Sequence, residues 1–183
     1  MRSGEITARE AIQREFMREY CEKSYGEITV KGLCANTPVA RTTFYSYYGN
    51  VDELMNDVED MIINGIVEIG GGTSKGHIED MDFSVFFSRT LEYIKEYWDE
   101  IEGFLIIQPN VRFIRKWKEA VKKHFALRFP HKCGTVNFEL ISETVASGVI
   151  GAYSYWLQNP KQVDVKKLNQ IVGLALECID DII

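Results

Sequence analysis

The sequence predicts an all-α protein of about nine helices, divided into a small N-terminal part and a larger C-terminal one. Apolar residues recur at three- and four-residue steps through every long segment. Strand signals are nearly absent, since the run VNFEL at 136–140 falls inside a helical pattern. Gly26, Asn36-Thr37-Pro38, Gly70 to Ser74, Gln108-Pro109 and Asn159-Pro160 cut the chain into helix-length pieces.

The first helix is expected from Ala8 to Ser24. Thr7 and Glu10 supply a capping box, and Ala8, Ile12, Phe16 and Tyr20 recur every four residues as its buried stripe. Gly26 ends the connection, and Thr29 caps a second helix, Val30 to Ala35. At Asn36-Thr37-Pro38 the chain is expected to turn, with Asn36 left-handed, Thr37 as a cap and Pro38 at the first helical position. A third helix follows, Val39 to Ser46. Two short helices around a tight turn form a helix-turn-helix unit, whose second helix can enter a DNA major groove.

The residue types on that helix suit such a role. Arg41 can fork onto guanine, and Thr42 and Thr43 can bond a base edge or touch a thymine methyl. Tyr45, Tyr47 and Tyr48 add hydroxyls of the kind that hold phosphates. Thr29 and Lys31, at the start of the second helix, stand where a phosphate could lie. Val39 and Phe44 are left to anchor the third helix from behind.

These residues resemble the DNA-binding domain of the TetR family of transcriptional regulators. The likeness rests on Tyr25-Gly26, Ile28-Thr29-Val30, Leu33-Cys34, and above all Thr43-Phe44-Tyr45-x-Tyr47-Tyr48 leading into Asp52-Glu53-Leu54. It covers residues 6–55. It implies a helix-turn-helix DNA-binding domain over 1–50 and an effector-binding and dimerisation domain over 51–183. It further implies a homodimer on double-stranded DNA at a near-palindromic operator, acting as a repressor that answers to a small effector. Two positions depart from the family pattern. Pro38 stands where glycine is common, so the turn must be built differently. Val51 stands where a phosphate-binding lysine is common. They support an alternative: a ligand-sensing protein-interaction module that has lost sequence-specific DNA binding.

The fourth helix opens with Asn50 as cap and Glu53 three residues on. Leu54, Val58, Met61, Ile62, Ile66 and Ile69 keep helical spacing until the glycine run at Gly70 to Ser74. That run lacks the strand and lysine of a phosphate-binding loop and reads as a connection. From Asp82 the pattern resumes through Phe83, Phe86, Phe87, Leu91, Ile94 and Trp98. A short helix at Glu100 to Ile107 halts at Gln108-Pro109. The seventh helix, Val111 to Phe129, has Ile114, Trp117, Val121 and Phe125 on one face and a lysine- and arginine-rich remainder. That remainder reads as a solvated face or a partner for nearby acidic helices.

The eighth helix, Val136 to Gln158, and the ninth, Val165 to Ile182, carry broad apolar surfaces. A second copy of the pair would complete a four-helix bundle. The interface residues expected are Leu140, Val145, Gly148, Ala152, Leu168, Ile171, Ala175 and Ile179. The stretch GVIGAYSYWLQNP also resembles the C-terminal domain of one branch of the TetR family. Phe87, Trp98, Phe113, Trp117, Tyr153 and Trp156 are candidates to line a pocket for a small apolar or aromatic effector, although most such aromatics serve a core.

Charge and composition limit the alternatives. The 183 residues are 45% apolar and 26% charged, with a net charge of −6, which is ordinary for a globular protein. Residues 1–50 hold seven Lys/Arg and six Asp/Glu. The acid therefore lies away from the helix-turn-helix. No apolar run reaches the ~18–20 residues of a membrane span, and MRSGEITARE lacks a signal-peptide core; no membrane partner and a cytoplasmic location are expected. Cys21, Cys34, Cys133 and Cys178 are scattered without metal-ligand spacing, and the first two and Cys178 read as small core residues. None of His77, His124 and His131 stands in a nucleophile motif. No catalytic residue, metal or cofactor is expected.

Overall fold

The structure, a computed structural model, describes residues 6–71, 83–129, 131 and 133–180. Among the described residues there are nine α-helices and no strand. The chain divides into two compact units, Met1–Met61 and Ile62–Ile183.

The first unit holds α1 (Ala8–Glu22), a 3-10 turn (Tyr25–Glu27), α2 (Val30–Ala35), α3 (Arg41–Tyr47) and the start of α4 (Val51–Gly71). The capping box of α1 is present: Glu10 N–H donates to the Thr7 hydroxyl at 3.2 Å and Thr7 N–H to the Glu10 carboxylate at 3.0 Å. Lys23, at φ −144°, leaves the helix two residues before the expected end. Ile12, Phe16, Leu33, Phe44, Leu54 and Val58 are fully buried and form the core. Each such side chain contributes about 1.5–3 kcal/mol on leaving water. At the start of α4, Glu53 N–H donates to Asn50 Oδ1 at 2.9 Å, the expected cap.

The turn between α2 and α3 differs from expectation. Thr37 does not cap α3; its hydroxyl donates to the Leu33 carbonyl at 3.0 Å and closes α2 from behind. Asn36 has φ −100°, outside the left-handed region. Pro38 and Val39 precede the helix, which starts at Arg41 with Ala40 as its extended N-cap. A proline outside both helices removes no helical hydrogen bond, so the turn is made without glycine.

The second unit comprises the rest of α4, then α5 (Phe83–Glu96), α6 (Trp98–Glu102), a π-helical turn (Gly103–Ile107), α7 (Val111–Arg128), α8 (Val136–Gln158) and α9 (Val165–Asp180). Helix α7 packs on α8, α5 on α9, and α8 on α9. Tyr97, at φ −112° and ψ 38°, separates Trp98 from the helix expected to contain it. The short helix expected at Glu100 to Ile107 is wound in two ways. Its second half takes the wider π pitch, with Gln108 N–H reaching the Gly103 carbonyl at 3.0 Å. Asn110 then caps α7, its Oδ1 accepting from the N–H groups of Arg112 and Phe113 at 2.9 and 3.2 Å.

Gly65 on α4 is required by packing. A Cβ there would lie 2.1 Å from the Tyr93 hydroxyl oxygen, so Tyr93 of α5 reaches the α4 backbone itself. Cys21 and Cys34 are half-buried rather than core residues, and Cys133 is exposed. The glycine-run connection at 72–74, His77, the end of the ninth helix at Ile182 and the side chain of Cys178 lie outside the described residues.

Candidate nucleic-acid interface

Helix α3 is held by apolar contacts on one side and leaves its polar side open. Phe44 is fully buried and meets the rings of Tyr45 and Tyr48, each with centroids 5.6 Å away. Val39 is buried beside it. Arg41 and Thr42 are exposed and Thr43 is half-buried. Tyr45 and Tyr47 are 57% and 49% exposed, unusual for tyrosines on a small domain. The exposed residues 41, 42 and 45 share one face by helical spacing.

Thr29 and Lys31 are exposed at the start of α2. Thr29 also has a structural task, its hydroxyl accepting from Gly32 N–H at 3.1 Å. Gly32 makes room for α1: a Cβ there would sit 3.3 Å from Glu19 Oε1. Glu19, 1% exposed, pairs with Lys23 at 2.8 Å. Asn36 Nδ2, at the end of α2, donates to Glu19 Oε1 at 3.4 Å and ties α1 to the helix-turn-helix.

Tyr48 is the residue whose role the sequence concealed. Grouped by type with the outward tyrosines, it is in fact buried, and its hydroxyl donates to Asp57 Oδ2 at 2.7 Å. Its place is set by the four-residue step from Phe44, which turns both rings inward. Asp57, on α4, also takes a two-pronged contact from Arg9 and a 2.8 Å hydrogen bond from Gln13 Nε2, both on α1. Burial pushes the Asp57 carboxyl up, but the bonds from Arg9 and Tyr48 together outweigh it and hold it below its ordinary value. Burial, and then the bond to Asp57, push the Tyr48 phenol up to about 12.

The sign for acid stability follows. A carboxyl with a depressed folded-state pKa stabilises the protein above its unfolded value and loses that contribution as pH falls through the folded one. The N-terminal unit should therefore weaken below the ordinary Asp value of 3.8. Asp57→Asn should lower its melting temperature at neutral pH and flatten the loss on acidification. Equal acid sensitivity in both proteins would place the titrating group elsewhere.

In the second unit, the structure brings five of the six candidate effector residues into three ring contacts. Phe113 meets Trp117 edge-on at 5.7 Å, and Trp117 stacks on Tyr153 at 5.8 Å. Trp98 meets Trp156 edge-on at 5.2 Å. Phe104, from the π-helical turn, extends the first chain by its 5.0 Å contact with Phe113. Phe87, Phe113, Trp117, Tyr153 and Trp156 are buried and Trp98 is half-buried.

The residues expected at a subunit interface separate into two groups. Val145 and Leu168 are buried within the unit and serve its own core. Leu140 and Ile171 are 66% and 57% exposed, Gly148 is exposed and Ala152 is half-buried. On α8, the exposed positions Val136, Leu140, Thr144, Gly148, Gly151 and Tyr155 form one stripe. A Cβ added at Gly148 or Gly151 would meet nothing within 4 Å. The side chains of Ala175 and Ile179 lie outside the described residues.

Among the described residues, no helix is long and apolar enough to cross a membrane, and no group of three or more His, Cys, Asp or Glu could hold a metal ion.

No family model and no curated protein matches the sequence. Solved structures do match. A TetR-family regulator from Syntrophomonas wolfei superposes with a TM-score of 0.69 at 12% identity, over 93% of each chain. A TetR regulator from Streptococcus agalactiae gives 0.67 at 18% identity over 90% of each chain. A fatty acid degradation regulator from Bacillus halodurans gives 0.67 at 12% identity, over 94% of this chain and 96% of that one. The likeness spans both units, and the chain has the all-helical fold of the TetR-family transcriptional regulators.

Proposed function

We propose that this protein is a ligand-responsive, DNA-binding transcriptional regulator that acts in the cytoplasm as a homodimer and represses from a near-palindromic operator. The observation that carries the reading is the outward face of α3. Arg41, Thr42, Tyr45 and Tyr47 project from a short helix whose inner side is anchored by Phe44. Arg41, Thr42 and Thr43 read base edges; Thr29, Lys31, Tyr45 and Tyr47 hold phosphates. Repression needs only occupancy of the promoter and no second activating surface.

Dimerisation uses the exposed apolar stripe of α8 together with Ile171 and Leu174 of α9, completed by the same faces of a second copy. Helix α4 contributes residues 51–61 to one unit and 62–71 to the other. Effector binding in the second unit acts on α4, and a coupling of ~1–3 kcal/mol alters DNA affinity five- to 150-fold. The alternative, a module without DNA binding, loses one of its two supports, because Pro38 lies outside both helices.

The test is selection of sites from a random duplex library at two salt concentrations. A two-fold symmetric consensus that survives the higher salt is expected; salt-sensitive, sequence-blind binding would remove the sequence-reading role. Arg41→Ala should cost about 1–3 kcal/mol at the consensus and relax preference at one base pair per half-site, with the dimer intact. Unchanged preference would take Arg41 out of base reading.

A further inference from the structure

The second unit contains a polar atom that its own fold leaves unused. Tyr153 is 1% exposed, and its hydroxyl has no hydrogen-bond partner among the described residues. Buried hydroxyls are normally paired, because an unpaired one forfeits its bond to water and gains nothing in return. A phenylalanine would fill the same space without that loss. Tyrosine and tryptophan are at home in cores only where the polar tip meets a partner.

The surroundings narrow what that partner can be. The Tyr153 ring stacks on Trp117 at an interplanar angle of 24°, and Trp117 continues through Phe113 to Phe104. Trp156, one turn along α8, meets Trp98. Flat faces of this kind take flat, apolar bodies by offset or edge contact. The Tyr153 phenol is pushed up by burial alone, with no charged group contributing to the shift. Among the described residues no charged group acts on this hydroxyl, so a charged guest placed at it would be desolvated without a counter-charge beside it.

A second feature lies at the same place. The π-helical turn Gly103–Ile107 packs on both α7 and α8 and sends Phe104 into the aromatic chain. Single π turns within helical segments are rare and frequently lie at functional sites.

We infer that the Tyr153 hydroxyl is the polar anchor of the effector site, and that the effector is a neutral aromatic molecule carrying an oxygen that exchanges a hydrogen bond with it. This rests on the effector reading above and adds the chemical class. The hydroxyl can donate to a carbonyl or ether oxygen and accept from a hydroxyl. The apolar body occupies the region bounded by Trp117, Phe113 and Phe104, and the oxygen faces α8.

The test uses the full-length protein, its Tyr153→Phe variant and three probes of one shape: a naphthol, an acetylnaphthalene and a methylnaphthalene with the same substitution pattern. Binding is read from quenching of tryptophan fluorescence, and the melting temperature of each unliganded protein is measured alongside. The unliganded variant should melt at or above the wild type. It should lose roughly three- to tenfold in affinity for the two oxygenated probes and none for methylnaphthalene. A variant that melts lower without ligand would mean that the hydroxyl is already satisfied within the protein, which overturns the assignment. Equal effects on all three probes would also overturn the anchor while leaving an effector site in place. Failure of every probe to bind the wild type would remove the aromatic class and, with it, the effector reading for this core.

Discussion

Phe44→Ala is expected to unfold the N-terminal unit and abolish DNA binding, while the helices of the second unit persist. Phe44 is fully buried, and its ring meets Tyr45 and Tyr48. Truncating such a residue costs about 3–5 kcal/mol from lost burial and the cavity left behind. A unit of 61 residues buries a smaller share of its surface, about 60%, than a larger domain does, and lies at the low end of the ~5–15 kcal/mol typical of domains. Most of its stability would be gone. Thermal unfolding followed by circular dichroism should show a separate low-temperature transition that the wild type lacks, and gel shifts should lose the retarded band. A variant that keeps both the wild-type melt and its band would show that α3 is not anchored through Phe44.

In the proposed dimer, Ile171→Asp is expected to give monomers without harming the protomer fold. Ile171 is 57% exposed in the single chain, so a carboxylate there costs the isolated subunit little. In a bundle of two α8–α9 pairs, the same carboxylate would be buried beside its symmetry mate. A charge left unpaired in an interface costs several kcal/mol, enough to dissociate it at micromolar concentration. Binding to a full palindrome should fall by about 10²–10⁴ through lost bivalency, while binding to a half-site changes little. Sedimentation and titration against both duplexes read the two effects separately. A stable dimer of the variant would place the interface off this face.

How much was legible in the sequence varies by element. Helix α8 was expected at Val136 to Gln158 and is found there, because its caps are local: the Thr135 hydroxyl accepts from Phe138 N–H, and Pro160 follows the C-terminus. The capping boxes at Thr7 and Asn50 were likewise visible, since each depends on residues three apart. The start of α3 was missed by two residues because Thr37 can bond forward as a cap or backward to a carbonyl. Which bond forms depends on how α2 ends. Residue type placed Tyr48 with Tyr45 and Tyr47, but its partner is Asp57, nine residues away on another helix. Val145 and Leu168 looked like interface residues because an apolar residue on a broad apolar helix does not say which neighbour covers it. Burial of Val145 and Leu168 comes from long-range packing, such as that of α7 on α8 and α8 on α9, which no local pattern encodes.

Asp57, on α4, gathers three donors from two other helices: Arg9 and Gln13 on α1 and Tyr48 at the end of α3. One carboxylate thus acts as a common pin through three parts. Parts held by one pin share its displacement, so a shift of this stretch of α4 carries the end of α3 and the face of α1 together. The reading head is then built to travel as a single block, with Arg41 and Tyr45 keeping their mutual spacing. Under the proposed function, regulation would move two intact heads out of step with the DNA repeat, and the reading face itself need not melt.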